Sequence, residues 1–418
     1  MNSRILILVD SIDVNDSSGS KANVALIKNL ATIGYAITVY HYTQKDIQLQ
    51  GTTCISIREK KYTPLYFLSR TQRIIQRYFK VNLAIHLEPI FGFSFTYFND
   101  VNSIKDILKT LDISKIDIVL TLSKGASFRP HYAVNKLPFL YEKWMAYVHD
   151  PFPMSCYPPP YNWNEPGHKQ KRVFFEQVSN NAKHAAFPSK LLNHWVGRFF
   201  PNFIQTGLII PHQRFEEEEL INLELPSYFD SKKFNVLHAG NLMKQRNPEG
   251  LIKGFELFLK NNPEAKEHAK LLLLGNASYH ENLINNYANS LPQLYTNLTN
   301  IPFKEVFWLQ KQVAVNIILE ADSEISPFLP GKFPHCVTAN KPILHLGPIH
   351  SETKRLLGEN YPYWSKINDV NSISKILKML YETWKLKDKE LVLNRPDLEH
   401  YLGETYLKEQ IENIVNNV

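Results

Sequence analysis

Cysteine is nearly missing from this chain: Cys54, Cys156 and Cys336 stand far apart among 418 residues, with no C-x-x-C pair. That excludes a disulfide framework, speaks against a zinc site and fits a reducing compartment. The histidine-containing stretches YHEN, HAK and HAA lack metal-ligand spacing, and Ser189 has no G-x-S-x-G context. Neither a bound metal nor a hydrolase triad is therefore expected. No apolar run approaches the roughly 18 residues needed to cross a bilayer. The opening MNSRILILVD reads as a strand entering a turn, because its apolar stretch is short and Asp10 interrupts it. There is no fixed-period repeat and no low-complexity tract. Nor is there an extreme of charge: 47 Lys and Arg against 40 Asp and Glu leave +7, which suits a phosphate-rich partner such as a nucleotide or an anionic membrane surface better than nucleic acid. With 44% hydrophobic and 21% charged residues the composition is that of a globular protein and speaks against a disordered or fibrous chain; with no signal-peptide pattern or membrane-spanning run, a cytoplasmic location is the expectation.

What is present is alternation. At this length two domains are expected. RILILVD (4–10) is an apolar run of the kind buried on both faces of a parallel sheet. A polar loop, SIDVNDSSGSK, follows, then ANVALIKNLATIG at helical spacing, then the strand AITVYHY. That is one βαβ unit, whose loop–helix junction is where open sheets bind ligands. Further short strands are read at 116–123, 145–150, 184–189 and 204–212. The Glu216–Glu219 run reads as a solvated linker. The pattern then restarts with strands at 234–241, 270–276, 313–321 and 342–347, with helices between, and ends in helical segments. A second doubly wound sheet follows from this. The expected division is an N-terminal Rossmann-like domain at 1–205, a C-terminal one at 206–390, and a last helix in 391–418 that packs back on the first. The fold class is α/β, two doubly wound parallel-sheet domains facing across a cleft.

Two strand ends in the later half carry cations. In SPFLPGKFPHCVTANKPILHLGP (326–348), a short helix is expected to begin near Lys332 to Pro334. Pro is tolerated in that first turn. Free N–H groups there, Gly331 for close backbone approach and the Lys332 charge would form an anion site. Asn340 would supply the left-handed cap. Taken alone, an ordinary αβ corner with a surface lysine fits equally well. In HAGNLMKQRNPEG (238–250), a glycine turn precedes Lys244, Gln245 and Arg246, just ahead of a helix start. Cations oppose the dipole at that end, so their presence makes sense if they share an anion, and a guanidinium can grip two phosphate oxygens. A solvated turn is the alternative.

With these stretches in order, nearly the whole chain resembles the GT-B nucleotide-sugar glycosyltransferases, especially the retaining glycosyltransferase family 4. The motifs are the first βαβ with Ser18–Gly19–Ser20–Lys21, AYVHD, AFPSK followed by IIPH, HAGN…KQRNP, and SPFLPGKFPHCVTANKPIL, which looks like a Pro-x-Lys-x-x-Glu helix. The resemblance implies a C-terminal domain that binds the nucleotide sugar and an N-terminal domain that binds the acceptor. It assigns His149, Arg246 and Lys332 to catalysis. To the nucleotide sugar it assigns Gly19, Gly240, Asn241, Lys244, Arg246, Glu324, Leu329, Gly331, Lys332 and His335. The chain departs from the family at Asn241, where an arginine is usual, and at His335, where a glutamate would accept both ribose hydroxyls. A neutral imidazole has a single acceptor, so it can replace that carboxylate only in part. Pro327 stands where the other family glutamate would fall, and Glu324 is the nearest carboxylate.

One further segment is LYFLSRTQRIIQRYFKVN (65–82), in which Arg70, Arg73, Arg77 and Lys80 fall on one helical face. It reads either as a basic amphipathic helix on an anionic bilayer or as a core helix with a solvated basic face. The expected function is transfer of a sugar from a nucleoside diphosphate to a glycan or lipid-linked acceptor, with retention, in bacterial surface polysaccharide or glycoconjugate synthesis. No cofactor or metal would be needed, and the location would be cytoplasmic with a peripheral position on the inner face of the membrane. The alternative is a catalytically weak GT-B module that binds glycan, membrane or a partner enzyme. A sugar-nucleotide epimerase on the same fold lacks the acidic and histidine set that reaction would need near the cleft.

Overall fold

The structure, a computed structural model, describes residues 3–214, 224–299, 301–386 and 391–415. The Glu216–Glu219 run lies outside the described residues. The chain forms two compact units. The first comprises Met1–Tyr157, Asn162–Gln213 and Tyr401–Val418; the second comprises Pro158–Tyr161 and Arg214–His400.

The first unit holds seven parallel strands: β1 (Arg4–Val9), β2 (Ala36–His41), β3 (Thr52–Ser56), β4 (Ile118–Leu122), β5 (Trp144–Tyr147), β6 (His184–Phe187) and β7 (Gly207–Ile209). Their order in the sheet is β3-β2-β1-β4-β5-β6-β7. β1 and β4 are buried almost throughout, as an apolar run inside a parallel sheet must be. The chain reverses its direction of travel between β1 and β4, which makes the carboxyl ends of those two strands the expected ligand crevice.

The second unit repeats the plan with β8 (Phe234–Ala239), β9 (Ala269–Leu274), β10 (Leu294–Asn297), β11 (Val315–Leu319), β13 (Ile343–Leu346) and β15 (Trp364–Ser365), in the order β10-β9-β8-β11-β13-β15. A separate pair, β12 (Ile325–Ser326) with β14 (His350–Ser351), is also parallel. Here the reversal lies between β8 and β11. Phe234, Val236, Leu271, Ile317 and Leu344 from these strands pack with Phe255, Phe258, Leu377 and Tyr381 of the helices Glu249–Asn261 and Val370–Lys385 in one core. Each such side chain, once withdrawn from water, stabilises the fold by about 1.5–3 kcal/mol.

Several sequence-based boundaries shift. The helix expected to start after Lys21 begins at Ser18, capped by the Ser17 side chain, which accepts from the Ser20 N–H. Ser18–Gly19–Ser20–Lys21 is thus the first helical turn and not a loop. The strand expected at 204–212 is confined to β7, because Asn202–Thr206 is helical. The short or polar strands β3, β10, β12, β14 and β15 carry no long apolar run and escape periodicity.

Candidate active site

At the switch point of the second sheet, β8 ends in His238 and Ala239, and the next residue, Gly240, adopts φ +140, a conformation that disfavours any side chain. The chain then turns through Met243–Arg246, where the Met243 carbonyl accepts from the Arg246 N–H at 2.8 Å and from His280 Nε2 at 3.0 Å. The helix Glu249–Asn261 follows, with Pro248 at its cap. This pinned turn presents Asn241 and Lys244 to solvent and leaves Arg246 half-buried. The Arg246 Nε is buried and has no hydrogen-bond partner among the described residues.

From the other side, the loop after β12 leads to the helix Phe333–Thr338. Its short length and the αL conformation of Asn340 (φ 52) agree with the sequence reading. Fewer of its first-turn N–H groups are free than the sequence reading supposed. The Phe333 N–H is taken by the Pro330 carbonyl at 2.8 Å, and Pro334 has none. Lys332 Nζ lies against Gly240. Burial pulls the Lys332 ammonium down to about 7, with the Cys336 thiol acting against that shift and the Arg246 guanidinium adding to it. Burial first, and then the charges of Lys332 and Arg246, keep His238 well below the ordinary histidine range and so neutral. Arg246, Lys332 and Gly240 are thus brought together, and His238 joins them.

The remaining candidates are dispersed around that centre. Leu329 is buried and Gly331 is exposed; a Cβ built on Gly331 would meet nothing within 4 Å. His335 is buried edge-on to Phe303 and Phe307, with ring centroids 4.9 and 5.4 Å away. Glu324 is exposed. A buried carboxylate at this end of the sheet is Glu320, just past β11. Its Oε1 accepts from Thr353 Oγ1 at 2.6 Å, and its Oε2 lies 3.5 Å from His345 Nε2. Gly347 must be glycine for this pair, since a Cβ there would come within 2.8 Å of Glu320 Oε2 and 2.9 Å of His345 Nε2. Polar residues set in the apolar strands FNVLHAG, VNIILEA and PILHLG were the available signal for His238, Glu320 and His345.

In the first unit, His149 follows β5 and is buried. Asn23 Nδ2 donates to the Ser123 carbonyl at 3.1 Å, which leaves Asn23 Oδ1 to accept from His149 Nε2 at 2.7 Å. The His149 ring therefore carries its proton on Nε2 and a lone pair on Nδ1. It stacks on His212 at 5.3 Å, and burial, with His212 and His131 beside it, keeps it neutral. Gly19 sits in the first turn of its helix against Lys124. A cavity of about 250 Å³ opens nearby at the β1/β4 switch, lined by Phe93, Tyr97, Arg129, Phe152, Glu165 and Lys171 among others. Arg129 Nε donates to Asp100 at 2.9 Å, and Lys171 Nζ to Glu88 at 2.8 Å and Glu165 at 2.7 Å. The Tyr97 hydroxyl in this lining is buried without a hydrogen-bond partner among the described residues, and so is Asp10 Oδ1, behind the lining residue Ser127.

Among the described residues no group of three or more His, Cys, Asp or Glu converges as a metal-binding set, and no helix is long and apolar enough to cross a membrane.

Two parallel-sheet α/β domains in one chain, of seven and six strands, have the form of the GT-B fold. No family model matches the sequence, and no curated protein matches it. Solved structures do match in fold. A UDP-forming α,α-trehalose-phosphate synthase from Burkholderia xenovorans superposes with a TM-score of 0.65 at 10% identity, covering 100% of this chain and 99% of that one. The E. coli trehalose-6-phosphate synthase bound to UDP-2-fluoro glucose gives 0.61 at 12%, covering 98% and 99%. HepE from Anabaena, in complex with UDP and glucose, gives 0.59 at 9%, covering 100% of both chains. These neighbours are GT-B glycosyltransferases, and at such identities the likeness is one of fold.

Proposed function

We propose that this chain is a glycosyltransferase that moves a hexose-type sugar from a nucleoside diphosphate to a glycan or lipid-linked acceptor, with retention. The observation that carries the reading is the meeting of Lys332 and Arg246 beside Gly240 at the switch point of the second sheet. Two cations close enough to feel each other's charge favour a polyanion such as a diphosphate. As the sugar C1–O bond to phosphate breaks, negative charge grows on the leaving diphosphate. Cations positioned beforehand stabilise that charge most at the transition state. The acceptor hydroxyl oxygen forms the new bond to C1 on the same face, and its proton passes to the departing phosphate oxygen. In this scheme His149 is neutral and orients groups through Nδ1; it is not an obligatory base.

For the acceptor we assign the cavity between Tyr97, Arg129 and Lys171 in the first unit. Its aromatic walls suit the C–H face of a sugar ring, and the unpartnered Tyr97 hydroxyl in its lining suits a sugar hydroxyl. The family resemblance suggests a role on the cytoplasmic side, in surface polysaccharide or glycoconjugate synthesis.

One observation favours a second reading, a weakly active or inactive GT-B module. His335 is packed against Phe303 and Phe307, where the family has its ribose-binding glutamate. Thermal-shift measurements with UDP, GDP, ADP and their sugars separate the two. A transferase is stabilised by one nucleotide, and Lys332→Ala or Arg246→Ala lowers its turnover roughly 10²–10³-fold. Indifference to every nucleotide would leave the second reading standing.

A further inference from the structure

The helix Pro64–Phe79 is mounted with its apolar side outward. Its buried residues, Ser69 and Gln72, are polar; Leu65, Tyr66 and Ile75 are half-buried, and none of its large apolar side chains is fully buried. Phe67, Ile74 and Tyr78 recur at the spacing of one helical row, on the side roughly opposite Ser69 and Gln72. They are 57%, 44% and 77% exposed. Phe79 ends the helix at 72% exposed, and the next helix, Ala84–Phe91, adds exposed Ile85 and Ile90. Arg70, Arg73 and Arg77 run along one flank of the apolar row, and Lys80 follows at the C-cap; all four are exposed. Arg73 pairs with Glu59 at 2.9 Å. Arg70, Arg77 and Lys80 have no ion-pair partner among the described residues. A core helix with a solvated basic face, one of the two sequence readings, is therefore not what forms: the apolar face is outside the core.

We infer that this face docks on an anionic lipid surface. An apolar row this exposed is uncommon on a soluble monomer. Its geometry, aromatic residues flanked by arginines on one surface-lying helix, is that of an interfacial helix, which buries its apolar row among acyl chains while the guanidiniums meet lipid phosphates. Charge selects this occupant over a second copy of the chain, since a two-fold pairing through the same face would set unneutralised arginines against each other. The inference does not depend on the proposed transfer reaction.

The test is sedimentation of the full chain with phosphatidylglycerol vesicles and with phosphatidylcholine vesicles at low salt, alongside its oligomeric state in solution. The protein should pellet with the anionic vesicles, remain largely free with the zwitterionic ones, and be released by salt. Arg70→Gln with Arg77→Gln should weaken binding roughly 30-fold, from two lost surface charges. Phe67→Ser with Tyr78→Ser should weaken it roughly ten-fold or more. All four side chains are exposed, so unfolding curves should match the wild type and show that folding is intact. The inference is overturned if the wild-type protein stays free of anionic vesicles, if both variants bind as well as wild type, or if the chain dimerises in solution and Phe67→Ser with Tyr78→Ser dissolves the dimer.

Discussion

The ammonium of Lys332 occupies the space that a side chain on Gly240 would need: a Cβ built on Gly240 would come within 2.9 Å of Nζ. Two stretches about ninety positions apart in the chain, a glycine just past a strand and a helix-starting lysine, are thereby fitted to each other, with Arg246 as the third member.

Gly240→Ala should disturb that fit twice. Alanine is strained at φ +140, at about 1–3 kcal/mol, and its methyl group pushes Lys332 aside. Unfolding curves with and without the preferred nucleoside diphosphate should show a lower midpoint and a smaller ligand-induced rise. A midpoint loss with the full ligand response retained would separate Gly240 from the anion site.

If a nucleoside diphosphate binds at Lys332, as proposed, its binding should be proton-linked. Its folded pKa is about 7, below the value of a free lysine, so at pH 8 the unliganded side chain is mostly neutral. A diphosphate beside it favours the charged form, so binding at pH 8 should take up close to one proton, and at pH 6 almost none. Calorimetry in buffers of different ionisation enthalpy measures this, and Lys332→Met should abolish the uptake. The sign for stability follows from the same shift. Between about 7 and the unfolded value near 10.4 the unfolded chain holds the extra proton, so this group makes the unliganded protein more stable as pH rises through that window.

Gly331→Ala distinguishes an anion site from a plain corner. A Cβ there meets nothing within 4 Å, so stability should change by less than about 0.5 kcal/mol. If a diphosphate approaches that backbone, its affinity should nevertheless fall several-fold. Equal affinity in titration calorimetry would return the glycine to a turn-forming role.

Asn23 sets the tautomer of His149. In the wild type, nitrogen NMR should find the proton on Nε2, held by Asn23 Oδ1 at 2.7 Å. Asn23→Ala removes that acceptor, so the ring should populate both neutral tautomers, and loss of the buried hydrogen bonds should lower stability by about 1–3 kcal/mol. A wild-type ring protonated on Nδ1 would refute the assignment.

Much of the fold was legible because its strands are buried on both faces. Such strands must be unbroken apolar runs, and RILILV, IVLTL, FNVLHA and KLLLL announce themselves. The strands β10, β12, β14 and β15 are short or lie at sheet edges, where neighbours and not propensity decide pairing, and they were missed. Lys332 and Arg246 were legible because cations beside turn residues at strand ends are unusual in a core. Glu320 and His345 were not singled out, because one polar residue in an apolar strand does not reveal that another strand carries its partner.

The sequence by itself determined two doubly wound sheets, the strand ends that bear cations, and the helix that carries Arg70, Arg73 and Arg77 on one face. Only the tertiary structure decided which way that helix turns its apolar row, and that Ser18–Lys21 is helix and not loop. It also decided that Lys332 loses its hydration against Gly240 next to Arg246. The reason is the range of the forces involved: periodicity and turn chemistry act between near neighbours in the chain, whereas desolvation and charge proximity depend on residues that meet only after the sheets have formed.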